Sequence, residues 1–458
     1  MDGVSVTRLA AAIAASALYG LLLVATLWRV RRRRRQQARD VAALATLSGQ
    51  AGSWLVVHAS QTGTAEELAW QTANALHTAG LAAQLVCIAQ LDADTLARAG
   101  RALFIVSTYG EGDPPDSGTV FARRVMSAPS QLGNLHYGVL ALGDREYRNF
   151  CGFGRTLDAW LQTQGAAPLF DRIEASNSDP AELARWRHQL SHLAGTDDLP
   201  DWQGPQFDTW RLVQRRLLNP GSAGEPLYDL RLEPTEGMPL PDWEAGDLVQ
   251  IVATADPDHP REYSIASVPD EGHVRLLVRI GRRADGSPGT CSSWLCTQLE
   301  IGALLSLRVR AHRNFRQGEN AARPFILIGN GTGLAGLRAH LQARSLQPAS
   351  RNWLLFGERN AAHDALLDDE LASWQRNGTL TRLDRVYSRD PPQRAYVQDR
   401  LRECAAELRR WIDDGAALYV CGSLDGMAAG VDAALNDVLG QAATAALAAS
   451  GRYRRDVY

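Results

Sequence analysis

The sequence predicts an α/β protein: a doubly wound parallel sheet comes first, then an antiparallel β-barrel joined to a second α/β domain, with one transmembrane helix in front. At 458 residues and 45% hydrophobic, the chain has room for two or three folded units. Apolar runs that alternate with helical stretches predict the parallel sheets, and shorter runs separated only by turns predict the barrel. The runs of the first sheet are 53–59, 84–89, 102–107 and 137–142, those of the barrel are 227–233, 247–253 and 273–280, and those of the last sheet are 325–329, 353–357, 382–387 and 417–421.

The transmembrane helix is predicted from residues 9–28, a run of 20 positions without a charge. Arg8 is the only basic side chain before the run, whereas Arg29 and the arginines at 31–35 follow it. The positive-inside rule therefore predicts an N-terminus outside the membrane and catalytic domains in the cytoplasm. A cleaved signal peptide would have its basic residues before the apolar run instead.

The charge distribution separates the two parts of the chain. Residues 1–40 contain eight Arg and two Asp, a net charge of +6, whereas residues 51–200 have a net charge of −6. An acidic soluble part argues against nucleic acid as a partner. The chain contains no lysine, which excludes Schiff-base catalysis and the lysine of a P-loop nucleotidase.

Six cysteines lie scattered along the chain without a C-x-x-C pair. Cys291 and Cys296 resemble half of a metal site, but no second half follows, so no metal site is predicted. Scattered thiols of this kind are typical of a reducing compartment.

Three polar loops follow the strong strands of the first sheet, at 60–65, 108–115 and 143–154. In a doubly wound sheet, loops at the carboxyl ends of strands near the switch point form the ligand site. The first loop offers hydroxyls and a glycine at a helix N-terminus, which suits a phosphate, and the others offer Tyr109 and Tyr147 for stacking on a flat ring. Together they predict a site for a flavin phosphate and ring.

The second half contains three further motifs: REYSIAS at 261–267, GTCSSWL at 289–295 and GNGTG at 329–333. An arginine suits a diphosphate, small residues at a helix start suit an anion, and a glycine-rich strand-to-helix turn suits a dinucleotide. Taken singly, each motif also fits an ordinary strand or helix cap.

The first unit resembles the flavodoxin-like FMN domain of diflavin reductases in the motifs SQTGTAE at 60–66, STYGEGDPPD at 107–116, LGD at 142–144 and FCGFG at 150–154. The resemblance implies that the first loop binds the FMN phosphate, that the two tyrosines flank the ring, and that residues 149–151 line its far side. The residues expected to bind FMN are Ser60, Gln61, Thr62, Gly63, Thr64, Ala65, Thr108, Tyr109, Gly110, Gly112, Leu142, Gly143, Asp144, Tyr147, Asn149, Phe150 and Cys151.

The second half resembles the ferredoxin–NADP reductase-like module of the same family, also in FGER at 356–359, YSRD at 387–390, YVQ at 396–398, VCG at 420–422 and DVY at 456–458. The residues that the resemblance implies for FAD and NADPH are Arg261, Tyr263, Ser264, Gly289, Thr290, Cys291, Ser292, Gly331, Thr332, Gly333, Ser388, Arg389, Arg394, Tyr396, Gln398 and Tyr458. Those implied for hydride transfer are Ser264, Cys421, Asp456 and Tyr458, the last stacking on the FAD ring.

Several positions depart from the family pattern. Arg394 stands where lysine is usual, and the terminal aromatic is Tyr458 where the family commonly has Trp. Gly336 replaces a usual proline, which predicts a looser nicotinamide pocket, and Ser423 replaces an aspartate, which puts a ribose contact in doubt. Only about 35 residues separate the first predicted barrel strand from Arg261, too few for the helical connecting insert of full-length haemoprotein reductases.

The resemblance, together with the predicted anchor, implies a membrane-anchored NADPH–haemoprotein reductase, in which a hydride passes from NADPH to FAD and electrons leave singly through FMN to a haem or iron protein. The acidic charge of the FMN domain predicts that this acceptor has a basic docking face. The alternatives are a sulfite reductase flavoprotein component, a ferric-siderophore reductase, and a non-catalytic flavin-binding sensor or scaffold. The predicted divisions are an anchor at 1–30, a basic linker at 31–52, an FMN domain at 53–195, a linker at 196–222, an FAD barrel at 223–322 and an NADP domain at 323–458.

Overall fold

A computed structural model describes residues 53–145, 147–176, 179–195, 206–283, 286–347, 351–390 and 395–458. The predicted anchor at 9–28, the arginine run that follows it and the predicted NADPH ligand Arg394 lie outside the described residues. Within the described part of the chain, no helix is both long enough and apolar enough to cross a bilayer.

The first unit is a parallel sheet with helices on both faces, as predicted. Its strands are β1 (Trp54–Ala59), β2 (Ala83–Cys87), β3 (Arg101–Ser107), β4 (His136–Gly143), β5 (Ala167–Pro168) and β6 (Ile173–Ser176), in the order β2-β1-β3-β4-β5, with β6 also paired to β4. Its helices are α1 (Thr64–Thr78), α2 (Ala93–Arg98), α3 (Asp116–Phe121), α4 (Gly152–Thr163) and α5 (Pro180–Ala194). Strands β1, β3 and β4 are buried on both faces, which explains their unbroken apolar sequences.

The second unit is an antiparallel six-stranded sheet. Its strands are β7 (Asp208–Leu217), β8 (Leu227–Pro234), β9 (Leu248–Ala253), β10 (Asp256–Ser264), β11 (Val274–Arg279) and β12 (Leu304–Arg310), in the order β10-β9-β12-β7-β8-β11. A bridge between Ile265 and Leu276 joins its two edges, so the sheet curves into a barrel. The short helix α6 (Thr290–Ser293) follows β11.

Strand β7 differs from the expectation, because its residues were placed in the linker at 196–222. It pairs with β8 and β12, and its Trp210 and Leu212 are buried in the barrel core. The neighbouring arginines and glutamine face outward, which lowers the hydropathy of the segment and hides its period of two.

The third unit is a five-stranded parallel sheet with helices between its strands. Its strands are β13 (Phe325–Asn330), β14 (Asn352–Glu358), β15 (Arg382–Tyr387), β16 (Ala417–Gly422) and β17 (Tyr453–Val457), in the order β15-β14-β13-β16-β17. Its helices are α7 (Leu334–Ser345), α8 (Asp368–Arg376), α9 (Val397–Glu403), α10 (Ala405–Asp413), α11 (Ala429–Leu439) and α12 (Gln441–Ala449). Strand β17 places the C-terminal residues Asp456 and Tyr458 beside the end of β16.

Candidate functional site

The first predicted loop turns tightly from β1 into α1. Gly63 has φ +94, a backbone conformation that residues with side chains rarely adopt. The Ser60 hydroxyl accepts hydrogen bonds from the amides of Gly63 at 2.8 Å and Ala65 at 3.3 Å. The loop therefore presents amides and hydroxyls at the N-terminus of a 15-residue helix, a geometry that fits a phosphate.

The second and third predicted loops interlock. A side chain added at Gly112 would begin 2.6 Å from Asn149 Cβ, and the Asn149 amide donates to the Glu111 carbonyl oxygen at 2.7 Å. Cys151 has φ +54 and is fully buried, with its thiol 3.3 Å from the Ala141 carbonyl oxygen. Burial raises the pKa of Cys151 to about 12, so the thiol stays protonated at neutral pH and acts as a packing residue.

The three loops enclose a cavity of about 780 Å³, large enough for a flavin. The predicted FMN residues that line it are Gln61, Thr62, Thr64, Thr108, Tyr109, Gly110, Leu142, Gly143, Asp144, Tyr147, Asn149, Phe150 and Cys151. The opposite wall belongs to the barrel and includes Arg261 and Arg308. The Tyr109 hydroxyl is buried with no hydrogen-bond partner among the described residues, which fits a polar group that a ligand would satisfy.

A second cavity of about 380 Å³ adjoins the first one. Tyr109 and Tyr147 line both cavities, whereas Tyr263, Ser264 and Tyr458 line the second only. The predicted FMN ring site and the predicted FAD ring site therefore lie next to each other.

Of the four residues predicted for hydride transfer, Ser264, Asp456 and Tyr458 line this cavity, and the fully buried Cys421 lies next to Asp456. Ser264 Oγ donates to Asp456 Oδ2 at 2.7 Å, and Cys421 Sγ lies 3.5 Å from the same oxygen. Burial, followed by the negative charge of Asp456, raises the pKa of Cys421 well above its usual value. The Tyr458 hydroxyl donates to Thr332 Oγ1 at 3.0 Å, while half of the Tyr458 side chain remains exposed.

His312, which is not among the predicted site residues, is fully buried between the first loop and the hydride-transfer residues. Its Nε2 donates to the Gln61 carbonyl oxygen at 2.9 Å, and its Nδ1 lies 3.9 Å from Asp456 Oδ1. Burial lowers the pKa of His312. No local motif surrounds this histidine, and its partners lie 251 residues before and 144 residues after it, so the sequence pattern held no signal for it.

The predicted FAD diphosphate site is brought together at the barrel. Arg261 lies 3.5 Å from Asp144 of the first unit and contributes a positive charge near Cys291 of the GTCSSWL motif. Ser292 Oγ accepts from the Gly281 amide at 3.0 Å, and the Thr290 hydroxyl accepts from Arg283. The six cysteines are free thiols, and Cys291 and Cys296 are both buried.

The glycine-rich turn at 331–333 lies directly against β16. A side chain at Gly333 would begin 2.0 Å from the Cys421 carbonyl oxygen, so no larger residue fits. Beside the turn, Arg279 from the barrel pairs with the buried Glu358 at 2.6 Å, a contact that the sequence analysis missed. A side chain at Gly336 would lie 3.3 Å from Cys421 Sγ, so the space expected to be loose is closely packed.

The predicted residues for the NADPH 2′-phosphate lie after β15 and at the start of α9. The amides of Ser388 and Arg389 donate to the carbonyl oxygens of Glu358 and Arg359 at 2.9 and 2.7 Å, which fixes their backbone next to β14. Tyr396 is half exposed, and Gln398 packs closely against Gly430. The Ser423 amide donates to Asn330 Oδ1 at 3.0 Å, so this position supports the glycine-rich turn.

Four ion pairs join the first unit to the other two, and the positive and negative partners are distributed in the same way in all four. Each pair places an arginine of the barrel or the third unit against a carboxylate of the first unit. The pairs are Arg261 with Asp144, Arg308 with Glu67, Arg313 with Glu66 and Arg455 with Asp116. The acidic surface around the first cavity is therefore matched by a basic surface on the rest of the chain.

The Gly63 conformation leads to a prediction for the first cavity. Gly63→Ala is expected to lower the FMN content of the purified protein about tenfold and to leave the FAD content unchanged. An alanine at this positive φ costs about 1–2 kcal/mol, and this cost disfavours the loop conformation that presents the amides to the phosphate. The measurement is the FMN:FAD ratio released on denaturation. Gly80→Ala is the control, since Gly80 has φ +78 at the other end of α1 with open space around it. An unchanged ratio in Gly63→Ala would contradict the assignment of the loop.

Comparison with known proteins agrees with this architecture. Residues 56–188 match the flavodoxin family, and residues 327–433 match the oxidoreductase NAD-binding domain family. The sulfite reductase [NADPH] flavoprotein alpha-component of Vibrio cholerae serotype O1 is 28% identical over 90% of this chain and 89% of its own length. Proteins of the same name from Neisseria meningitidis serogroup B and Aliivibrio fischeri are each 27% identical, over 88% and 92% of this chain and 89% and 92% of their own lengths.

The Vibrio alignment spans 544 residues, more than the 458 of this chain, so that relative contains segments that this chain lacks. A flavodoxin domain followed by an NAD-binding oxidoreductase domain is the arrangement that the motifs predicted. The chain therefore has the domain arrangement of the diflavin reductases, and its cofactors are FMN, FAD and NADPH.

Proposed function

We propose that this protein oxidises NADPH and delivers the electrons one at a time, through FAD and then FMN, to an iron- or haem-containing protein. The observation that supports this order is the common wall of the two cavities, which Tyr109 and Tyr147 both line. When bound, the cofactors supply the redox chemistry, which is hydride transfer at FAD and single-electron transfer at FMN.

The protein's own residues position and shield the reacting groups. Asp456 accepts from Ser264 and lies next to the Cys421 thiol, so one buried carboxylate fixes the positions of both side chains beside the second cavity. The Tyr458 amide donates to the Gly422 carbonyl oxygen at 3.0 Å, whereas its ring, at the second cavity, has a neutral hydroxyl contact to Thr332 that is weak enough for the ring to be displaced when NADPH enters.

The acceptor that the relatives favour is the haemoprotein component of a sulfite reductase, one of the alternatives left open by the sequence. Three relatives are named as the sulfite reductase flavoprotein component, and this chain aligns with about nine tenths of the length of each. Exposed carboxylates of the FMN domain, such as Glu111 and Asp113 in the second loop, suit a partner with a basic docking face.

A sulfite-dependent assay tests this acceptor. With purified chain, NADPH and the haemoprotein component of a sulfite reductase, sulfite is expected to accelerate NADPH oxidation at least tenfold. The charge-reversed variant Glu111→Arg is expected to lower that rate, whereas Asp414→Arg, an exposed position outside the FMN domain, is the control. Reduction of cytochrome c without any sulfite-dependent turnover would contradict the sulfite reductase assignment.

A second candidate is a membrane-anchored haemoprotein reductase, which the uncharged run at 9–28 and the arginines after it favour. The full chain is then expected in the membrane fraction of disrupted cells. Washing with salt at about 1 M is expected to leave it there, because salt screens charge interactions but does not weaken the burial of an apolar helix in the bilayer. A chain lacking residues 1–52 is expected in the soluble fraction. Recovery of the full chain in the soluble fraction would contradict the anchor.

A further inference from the structure

The last residue of β12, Arg310, reaches out of the barrel to the phosphate loop of the FMN domain. Its Nη2 donates to Thr64 Oγ1 at 2.7 Å and lies 3.7 Å from the position that a Cβ atom on Gly63 would occupy. Its Nη1 forms an ion pair with the Glu262 carboxylate of the barrel. The Arg310 side chain is only 6% exposed, so a cation lies buried at the helix end that presents the phosphate-binding hydroxyls and amides.

The buried Arg310 guanidinium forms an ion pair with the Glu262 carboxylate. Burial lowers the pKa of Arg310 to about 10, because the charged form loses its hydration. Thr64 and Glu262 accept two of its five N–H groups. The planar fork of arginine matches phosphate oxygens, so the remaining N–H groups of Arg310 suit a phosphate.

A second arginine of the same strand lines the first cavity directly. Arg308 lies two residues before Arg310, so both side chains project from one face of β12. Arg308 lines the cavity together with Thr62 and Thr64, and its Nε donates to Gln250 Oε1 at 2.6 Å. Its side chain is 19% exposed, and its nearest carboxylate, Glu67, is 3.8 Å away.

The residues after β12 hold the back of the loop. His312 donates to the Gln61 carbonyl oxygen, and the Asn314 amide donates to the carbonyl oxygens of Ser60 at 3.1 Å and Gln61 at 3.3 Å. With its carbonyl groups engaged by the barrel, the loop is fixed in one orientation before a ligand arrives, which lowers the entropy cost of binding.

We propose that Arg310, assisted by Arg308, is part of the FMN phosphate site, so that the FAD barrel completes a site whose other ligands belong to the FMN domain. The inference rests on the placement of the FMN phosphate at residues 60–65. By linkage, FMN binding then favours the docked arrangement of the two domains, and docking raises the affinity for FMN by the same factor.

The test compares FMN with riboflavin, which lacks the phosphate, in binding titrations of the flavin-depleted full chain followed by flavin fluorescence. Arg310→Gln retains a donor for Thr64 but removes the charge. We expect it to weaken FMN binding about tenfold or more and riboflavin binding by less than about twofold. Arg308→Gln is expected to shift FMN binding in the same direction by a smaller factor.

Arg313→Gln is the matched control, because Arg313 pairs with Glu66 across the same interface but its side chain is 71% exposed. It is expected to change the two affinities equally, by less than about threefold. Equal losses of FMN and riboflavin affinity in Arg310→Gln, or no loss, would overturn the inference. If Arg310→Gln binds neither flavin, Arg308→Gln decides by the same criterion. A wild-type chain that binds riboflavin as tightly as FMN would instead overturn the placement of the phosphate at residues 60–65.

Discussion

Asp456→Ala is expected to slow the reduction of bound FAD by NADPH about 100-fold. The Asp456 carboxylate is buried and accepts from Ser264 at 2.7 Å, with the Cys421 thiol 3.5 Å from the same oxygen. Without it, the Ser264 hydroxyl and the Cys421 thiol lose the acceptor that fixes their positions beside the second cavity. The rate is measured as the loss of flavin absorbance after anaerobic mixing with NADPH.

Asp414→Ala is the control for this variant, because Asp414 is an exposed aspartate paired with Arg351 in the same unit. It is expected to leave the rate within about twofold of the wild-type rate, as surface ion pairs contribute little. Both proteins are compared at equal FAD content. A rate for Asp456→Ala within threefold of the wild-type rate would contradict the assigned role of the carboxylate.

Arg389→Glu is expected to raise the KM for NADPH about 100-fold and to leave the KM for NADH unchanged. Arg389 is exposed, and its amide is fixed by the Arg359 carbonyl oxygen at 2.7 Å. The substitution removes a charge-assisted contact to the 2′-phosphate, about 1.5–3 kcal/mol, and adds repulsion. NADH lacks that phosphate and so should not respond.

The matched control is Arg376→Glu, which reverses an exposed arginine at the end of α8 in the same unit. Its KM values for both nucleotides should stay within about twofold of wild type. Steady-state kinetics with ferricyanide as the acceptor measure both variants. A parallel rise of the NADPH and NADH constants in Arg389→Glu would contradict its phosphate role.

Much of the candidate site could be predicted from the sequence because its parts are local. The loop at 60–65, the glycine-rich turn at 331–333 and the GTCSSWL motif each join a strand or turn to a helix start, and the structure places all three in that setting. The convergence of Ser264, Cys421 and Asp456 was implied by the family resemblance alone, since up to 192 residues separate them.

The domain interface could not be predicted from the sequence, because its pairs are remote along the chain. Arg455 and Asp116 are 339 residues apart, and Arg310 and Thr64 are 246 residues apart. Charged residues of this kind are usually solvated, and only the docked arrangement makes them partners. Strand β7 was missed for a related reason, since its outward arginines obscure the alternation of Trp210 and Leu212.

The transfer of electrons from FAD through FMN to a protein acceptor is tested most directly by removing FMN alone from the full chain. Reduction of cytochrome c by NADPH is expected to fall at least 20-fold in FMN-depleted protein and to return when FMN is added, whereas ferricyanide reduction, which FAD supports by itself, is expected to persist. Equal cytochrome c reduction with and without FMN would contradict the account.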